Sequence, residues 1–205
     1  MTAGWPQALA DRPVCPHRGL PIAFIAEVRP DGTGEFTVLD NKRAIECMQQ
    51  RLCAMCGGPM GSEVALIGDR VSLEPDGFFI EPPVHEHCGE LAVGGLCPFL
   101  SRERVPRRPV QPGTTVVGDR ADLAGVGRPG KPKRPVIMAV CADYYPGLVP
   151  TDTGGEVIAY RPRGVLRVRR YAYVGDRLAE IVPGPPRPPA RVIRQQPRRR
   201  PRSKR

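Results

Sequence analysis

The chain has 205 residues, a formal charge of +10, 26 prolines and only 5% aromatic residues. No run approaches the roughly 18 apolar residues of a membrane span, and the opening MTAGWPQALADRP has neither the basic start nor the apolar core expected of a secretion signal. Seven cysteines, an odd number, fit a reducing cytoplasm better than a disulfide framework.

Charge divides the chain. Residues 1–100 hold 7 basic and 13 acidic side chains, a net of −6, whereas residues 101–205 hold 24 and 8, a net of +16. Phosphate binding depends on Lys and Arg displacing counterions. Contact with DNA or RNA is therefore expected from the second half and not from the first.

In chain order, residues 1–12 read as a loose leader. Cys15-Pro16-His17 follows. With Cys47 or Cys97 it could form a second metal site; otherwise Cys15 is a buried cysteine beside an exposed histidine. Residues 20–28 (LPIAFIAEV) are strand-like, Pro30-Asp31-Gly32-Thr33-Gly34 turns the chain, and residues 35–39 return as a second strand. Asp40 is placed to N-cap a helix over residues 41–52. On that helix Ile45, Met48 and Leu52 form the core stripe, with Cys47 a small buried hydrophobe.

The helix delivers the chain to Cys53 and Cys56, a C-x2-C pair followed by Gly57 and Gly58. Residues 64–67 and 78–80 are short apolar runs separated by the turn signals Gly68-Asp69 and Pro75-Asp76-Gly77, which predicts a hairpin. Pro82-Pro83 then suits the first turn of a helix carrying His85 and Cys88 on one face. Two chelating pairs about thirty residues apart have the spacing of a structural zinc site. Knuckle, hairpin and ligand-bearing helix in that order read as a treble-clef-like zinc finger with Zn2+ held by Cys53, Cys56, His85 and Cys88. His87 and Cys97 are the alternative ligands. Gly94-Gly95 ends the helix, and Leu96, Cys97, Phe99 and Leu100 fold back onto the finger.

Residues 106–135 are rich in Pro, Gly and Arg and read as a linker, with one short strand at residues 114–117. Residues 136–142, 156–160 and 165–174 read as strands of a small antiparallel segment, the last two joined through Arg161-Pro162-Arg163-Gly164. Alternation in the final strand puts Leu166, Val168, Ala172 and Val174 on one face and Arg167, Arg169, Tyr171 and Tyr173 on the other. Arginines beside tyrosines suit nucleic acid, the guanidinium meeting phosphate and the ring stacking on a base; a solvated sheet face has the same composition. Residues 183–205 contain nine basic and no acidic side chains, including Arg198, Arg199, Arg200 and Arg202. Proline and like-charge repulsion predict a disordered, polyanion-binding tail.

The chain thus reads as α+β. Residues 13–105 form a zinc-binding domain that begins with the N-terminal hairpin and helix. The linker follows, then a β segment over residues 136–182, then the basic tail. The motifs RLCAMCGGPMG, FIEPPVHEHCGELA and CPFLSR, with the CPHRGLPIAF stretch of residues 15–24, resemble a group of small proteins of actinobacteria, other bacteria and their phages. The resemblance covers about residues 13–105, continues weakly to about residue 182, and implies the zinc motif but no activity.

Three functions compete. The first is a non-enzymatic zinc-binding protein whose basic half contacts DNA or RNA and whose finger meets an unidentified protein partner. The second is a degenerate HNH-like metal-dependent nuclease, which needs a histidine base in the hairpin; none lies between Cys56 and Glu81. The third is a protein–protein adaptor. The first is preferred, with no catalytic residue assigned and no membrane partner.

Overall fold

The computed structural model describes residues 5–16, 18–101, 135–150 and 156–181. Leu9, on the one-turn helix α1 (Gln7–Ala10), is fully buried. Two small antiparallel pairs follow: β1 (Val14–Cys15) with β2 (Leu20–Pro21), and β3 (Ala26–Val28) with β4 (Gly34–Leu39). The expected strand over residues 20–28 is therefore broken in the middle. The N–H groups of Phe24 and Ile25 donate to the carbonyls of Met55 and Ala54 at 2.9 and 3.2 Å, so this run is tied to the cysteine knuckle.

Asp40 caps α2 (Asn41–Gln50), accepting from the N–H of Lys42 at 2.9 Å and of Arg43 at 3.3 Å. The buried positions are Ala44 and Cys47, while Ile45 is 42% exposed, so the core stripe lies off the expected Ile45–Met48–Leu52 line. Small side chains let α2 approach closely. Arg43 takes part of its inner side, its guanidinium 5.2 Å from the centre of the Phe24 ring and donating to the Phe24 carbonyl at 3.1 Å.

Four strands build the main sheet, all antiparallel and in the order β5 (Val64–Asp69), β6 (Val136–Pro150), β7 (Glu156–Val174), β8 (Arg177–Glu180). Between β5 and β6 in sequence come α3 (Glu86–Leu91), a wider π-type stretch over Ala92–Leu96 that kinks at Gly95, and α4 (Pro98–Ser101). Leu96 is buried, and Cys97 and Leu100 pack on the same core; the side chain of Phe99 lies outside the described residues.

The hairpin expected between residues 64–67 and 78–80 does not form. β5 pairs instead with β6, from Val64 opposite Cys141 to Asp69 opposite Val136. The sequence carries the reason. VALI and VIMAVC are apolar at every position, the pattern of strands covered on both faces. Val64, Leu66, Ile137, Ala139 and Cys141 pack on Phe79, Tyr144 and Tyr160 on one face. Ala65, Ile67, Val136, Met138 and Val140 meet the cysteine-bearing layer on the other. Phe79 instead packs within the cluster that covers one of these faces.

The segment from Phe79 to Val84 instead links the two outer edges of the sheet. Phe79 and Tyr160 exchange backbone hydrogen bonds of 2.8 and 2.7 Å, and Val84 and Ala65 exchange bonds of 2.9 and 2.8 Å. Tyr160 therefore points its N–H and C=O away from β6, which is why Pro146 can stand opposite it. The runs 156–160 and 165–174 form one continuous β7. Arg161-Pro162-Arg163-Gly164 stays in the ladder, and the register slips by one residue near Cys141. The boundaries drawn at residues 105 and 136 cross a single sheet, because its first strand comes before them and the rest after. The strand expected at residues 114–117 and the tail lie outside the described residues. Among the described residues no helix is long and apolar enough to cross a membrane.

Candidate metal centre

The two ligand pairs are set by backbone with few alternatives. Beyond α2 the chain turns through Cys53 to Gly58, closed by Cys53 N–H to the Gly58 carbonyl and Gly57 N–H to the Cys53 carbonyl, both 2.8 Å. Gly57 has φ 77°, and a Cβ there would fall 2.5 Å from the Phe24 ring, so both backbone and space call for glycine. The second pair follows an extended segment. Ala54 N–H donates to the Pro83 carbonyl at 3.1 Å, Val84 bridges Ala65, and His85 stands as N-cap of α3 with Cys88 in its first turn. Pro82-Pro83 thus precedes the helix rather than forming its first turn. Gly89 lets α3 lie close on β6, where a Cβ would meet the Met138 sulfur at 2.7 Å.

The donor atoms of Cys53, Cys56, His85 and Cys88 all lie within 4.8 Å of one another. His85 Nδ1 is 3.4 Å from Cys56 Sγ and 3.8 Å from Cys88 Sγ. Metal–sulfur bonds of about 2.3 Å and a metal–nitrogen bond of about 2.05 Å, at a tetrahedral angle, require a sulfur–nitrogen separation of about 3.6 Å. The four donors therefore suit one metal ion. His85 Nε2 lies 2.9 Å from the Pro59 carbonyl, which can only accept, so Nε2 carries the proton and Nδ1 turns its lone pair to the sulfurs. Backbone N–H groups of Gly58 and His85 donate to Cys56 Sγ at 3.4 Å and Cys53 Sγ at 3.3 Å, offsetting thiolate charge.

The thiol acidities point the same way. Hydrogen bonds from Cys56 and Cys88 hold the Cys53 thiol well below its ordinary range, while the same contacts with Cys53 and Cys56 push Cys88 far up. The opposed directions express one fact. Three buried sulfurs in contact cannot all become thiolates unless a cation lies among them.

The other expected ligands stand apart. His87 is exposed, its Nδ1 3.5 Å from a Glu90 carboxylate oxygen. Cys97 is half-buried and lies outside the four-donor group. Burial, then the neighbouring Cys53, pushes the Cys47 thiol up to about 12, in keeping with a packed, neutral side chain. Cys15 packs with Ile22 and Ala26, and His17 lies outside the described residues. Among the described residues, Cys15 joins no group with metal-binding geometry.

The expected nucleic-acid face of β7 is corrected. Arg167, Arg169, Tyr171 and Tyr173 share one face as alternation requires, but its charges are already paired: Arg167 stays exposed, Arg169 is partly covered and Tyr171 is buried. Arg167 is held by Glu86 and, at 2.8 Å, by Glu63; Arg169 is held by Glu90 and, at 2.7 Å, by Glu180. Tyr171 is 4% exposed, and the Tyr173 hydroxyl donates to the Leu100 carbonyl at 2.8 Å. Carboxylates on α3 explain the pairing: Glu86 and Glu90 stand one turn apart, opposite the two arginines. The spacing of Glu86 with Glu90 and of Arg167 with Arg169 was a signal for this contact that the reading missed. It also missed Phe24 beneath Gly57. Arg198, Arg199, Arg200 and Arg202 lie outside the described residues.

Comparison with protein-family models, curated proteins and solved structures finds no match.

Proposed function

We propose that this is a non-catalytic zinc-binding protein in which Cys53, Cys56, His85 and Cys88 hold one structural Zn2+ in a treble-clef-like knuckle and helix. The observation that carries the reading is the closed Cys3His set. Four protein donors fill a tetrahedron and leave no position for water or substrate, and sulfur-rich tetrahedral sites favour zinc. Bound there, the metal would cross-link the knuckle after α2 to the start of α3. The basic C-terminal half is the polyanion-binding part, its excess of Arg over acidic residues favouring DNA or RNA through counterion release.

Metal analysis of purified protein tests the first statement. One zinc per chain is expected. Cys53→Ser and Cys88→Ser should lose it together with cooperative unfolding, because metal binding is coupled to folding; His85→Cys and Cys97→Ser should keep it. Well-folded protein with no zinc would sink the reading, and two zinc ions per chain would revive a site at Cys15. Salt-dependent binding to DNA or RNA, weakened by deletion of residues 183–205, tests the second.

A further inference from the structure

Ion pairing distinguishes Arg167 and Arg169 from two other arginines of β7. Arg167 and Arg169 are each held by two carboxylates. Arg161 and Arg163, farther along β7, are exposed, and among the described residues neither has a carboxylate within ion-pair distance. They lie on the arm of the β6–β7 ribbon that extends past the end of β5, since β5 pairs only as far as Cys141.

Tyr145 stands on the same face of that arm. It is directly opposite Arg161 in the ladder, and the Arg163 guanidinium lies 5.4 Å from its ring centre. At 54% it is more exposed than any other Phe, Trp or Tyr side chain among the described residues. Tyr144 and Tyr160, by contrast, are buried against each other with ring centres 5.7 Å apart. Gly147, two residues on, adds no side chain, and a Cβ there would meet nothing within 4 Å. The acidic neighbour, Asp143, is engaged by Arg51 at 2.8 Å. The half-exposed ring thus has one cation against it and a second opposite it in the ladder.

We propose that this arm is a contact for single-stranded nucleic acid, in which Tyr145 stacks on a base and Arg161 and Arg163 hold the adjoining phosphates. The surface matches the stacking platforms of proteins that bind single strands with little sequence preference. A duplex keeps its bases stacked on each other and offers this ring no face. The proposal rests on the polyanion reading above and names a surface for it.

The test uses full-length, zinc-loaded protein and a labelled oligothymidylate of about 15 nucleotides, titrated at several salt concentrations. Tyr145→Ala should weaken binding roughly tenfold with an unchanged salt slope, and Tyr145→Phe should restore it, because the phenyl ring still stacks. Arg161→Ala and Arg163→Ala should each lower the slope by about 0.7, one phosphate contact on a single strand. Unchanged melting and zinc content would show that each variant is folded. If the protein binds but Tyr145→Ala binds equally well, the platform is wrong and the polyanion reading stands on the tail. If a polyglutamate peptide competes as well as the oligonucleotide, the arm is an acidic-peptide surface and the proposal falls. If no salt-sensitive binding occurs, the polyanion reading falls and takes this proposal with it.

Discussion

Cys47, Cys53 and Cys56 are close in sequence yet differ in chemistry because their backbones differ. Cys47 lies within α2, buried among apolar atoms, where only the neutral thiol is stable. Cys53 and Cys56 sit on a tight turn, where amide N–H groups donate to their sulfurs. That turn depends on Gly57. The sequence shows the glycine but not the Phe24 ring beneath it, which Arg12 and Arg43 flank at 5.3 and 5.2 Å. Gly57→Ala should therefore destabilise zinc-loaded protein by at least the left-handed backbone cost of about 1–2 kcal/mol. Gly61→Ala should be close to neutral, since a Cβ there meets nothing within 4 Å. Urea unfolding of the two variants side by side checks the contrast.

At the scale of elements, β7 shows how alternation can be right about faces and silent about which is inside. The face with Leu166, Val168 and Val174 is the exposed one. Packing α3 and β8 against the arginine–tyrosine face instead requires carboxylates to meet it. Glu180 on β8 does so, and its carboxyl is held below its ordinary value of 4.5 by the hydrogen bond from Arg169. A lowered carboxyl pKa contributes stability that is complete above the unfolded value and is lost as pH falls through the folded value. Glu180→Gln should thus be less stable than the parent at pH about 6, with the gap closing at acid pH. The effect should be small and screened by salt, because the pair is partly exposed. A gap that stayed constant from neutral to acid pH would mean that the carboxylate's charge is irrelevant. Glu180 lies apart from the metal ligands, so loss of metal in acid affects parent and variant alike.

For the whole molecule, the decisive contact is β5 with β6, which joins strands separated by more than sixty residues. The metal-binding half thereby depends on the basic half for its core. Leu66 and Met138, both fully buried, are covered only when both segments are present. Residues 1–105 alone, which contain the zinc-binding domain read at residues 13–105, should then unfold without cooperativity even with zinc present. Full-length protein should give one sharp transition. Hydrogen exchange supplies a second readout: the amides of Val64 to Ile67 should be protected in the full chain and unprotected in the fragment. A fragment that unfolded cooperatively with protected β5 amides would show that the halves are independent.

What the sequence determined by itself was local. The cap at Asp40, the knuckle glycines, the two chelating pairs and the end of the helix at Gly95 each depend on a few adjacent residues, so spacing and residue type suffice. The four donors could be named because each pair is held by its own turn or helix. Tertiary structure decided which strands met and which faces were covered. Residues 64–67 could pair with any apolar strand; they meet residues 136–141, and the pair is covered by a separate cluster on each face. Arg and Tyr are amphipathic, so the sequence could not place their face inside or outside. That depended on Glu86 and Glu90, which reach the arginines only when α3 packs over the sheet.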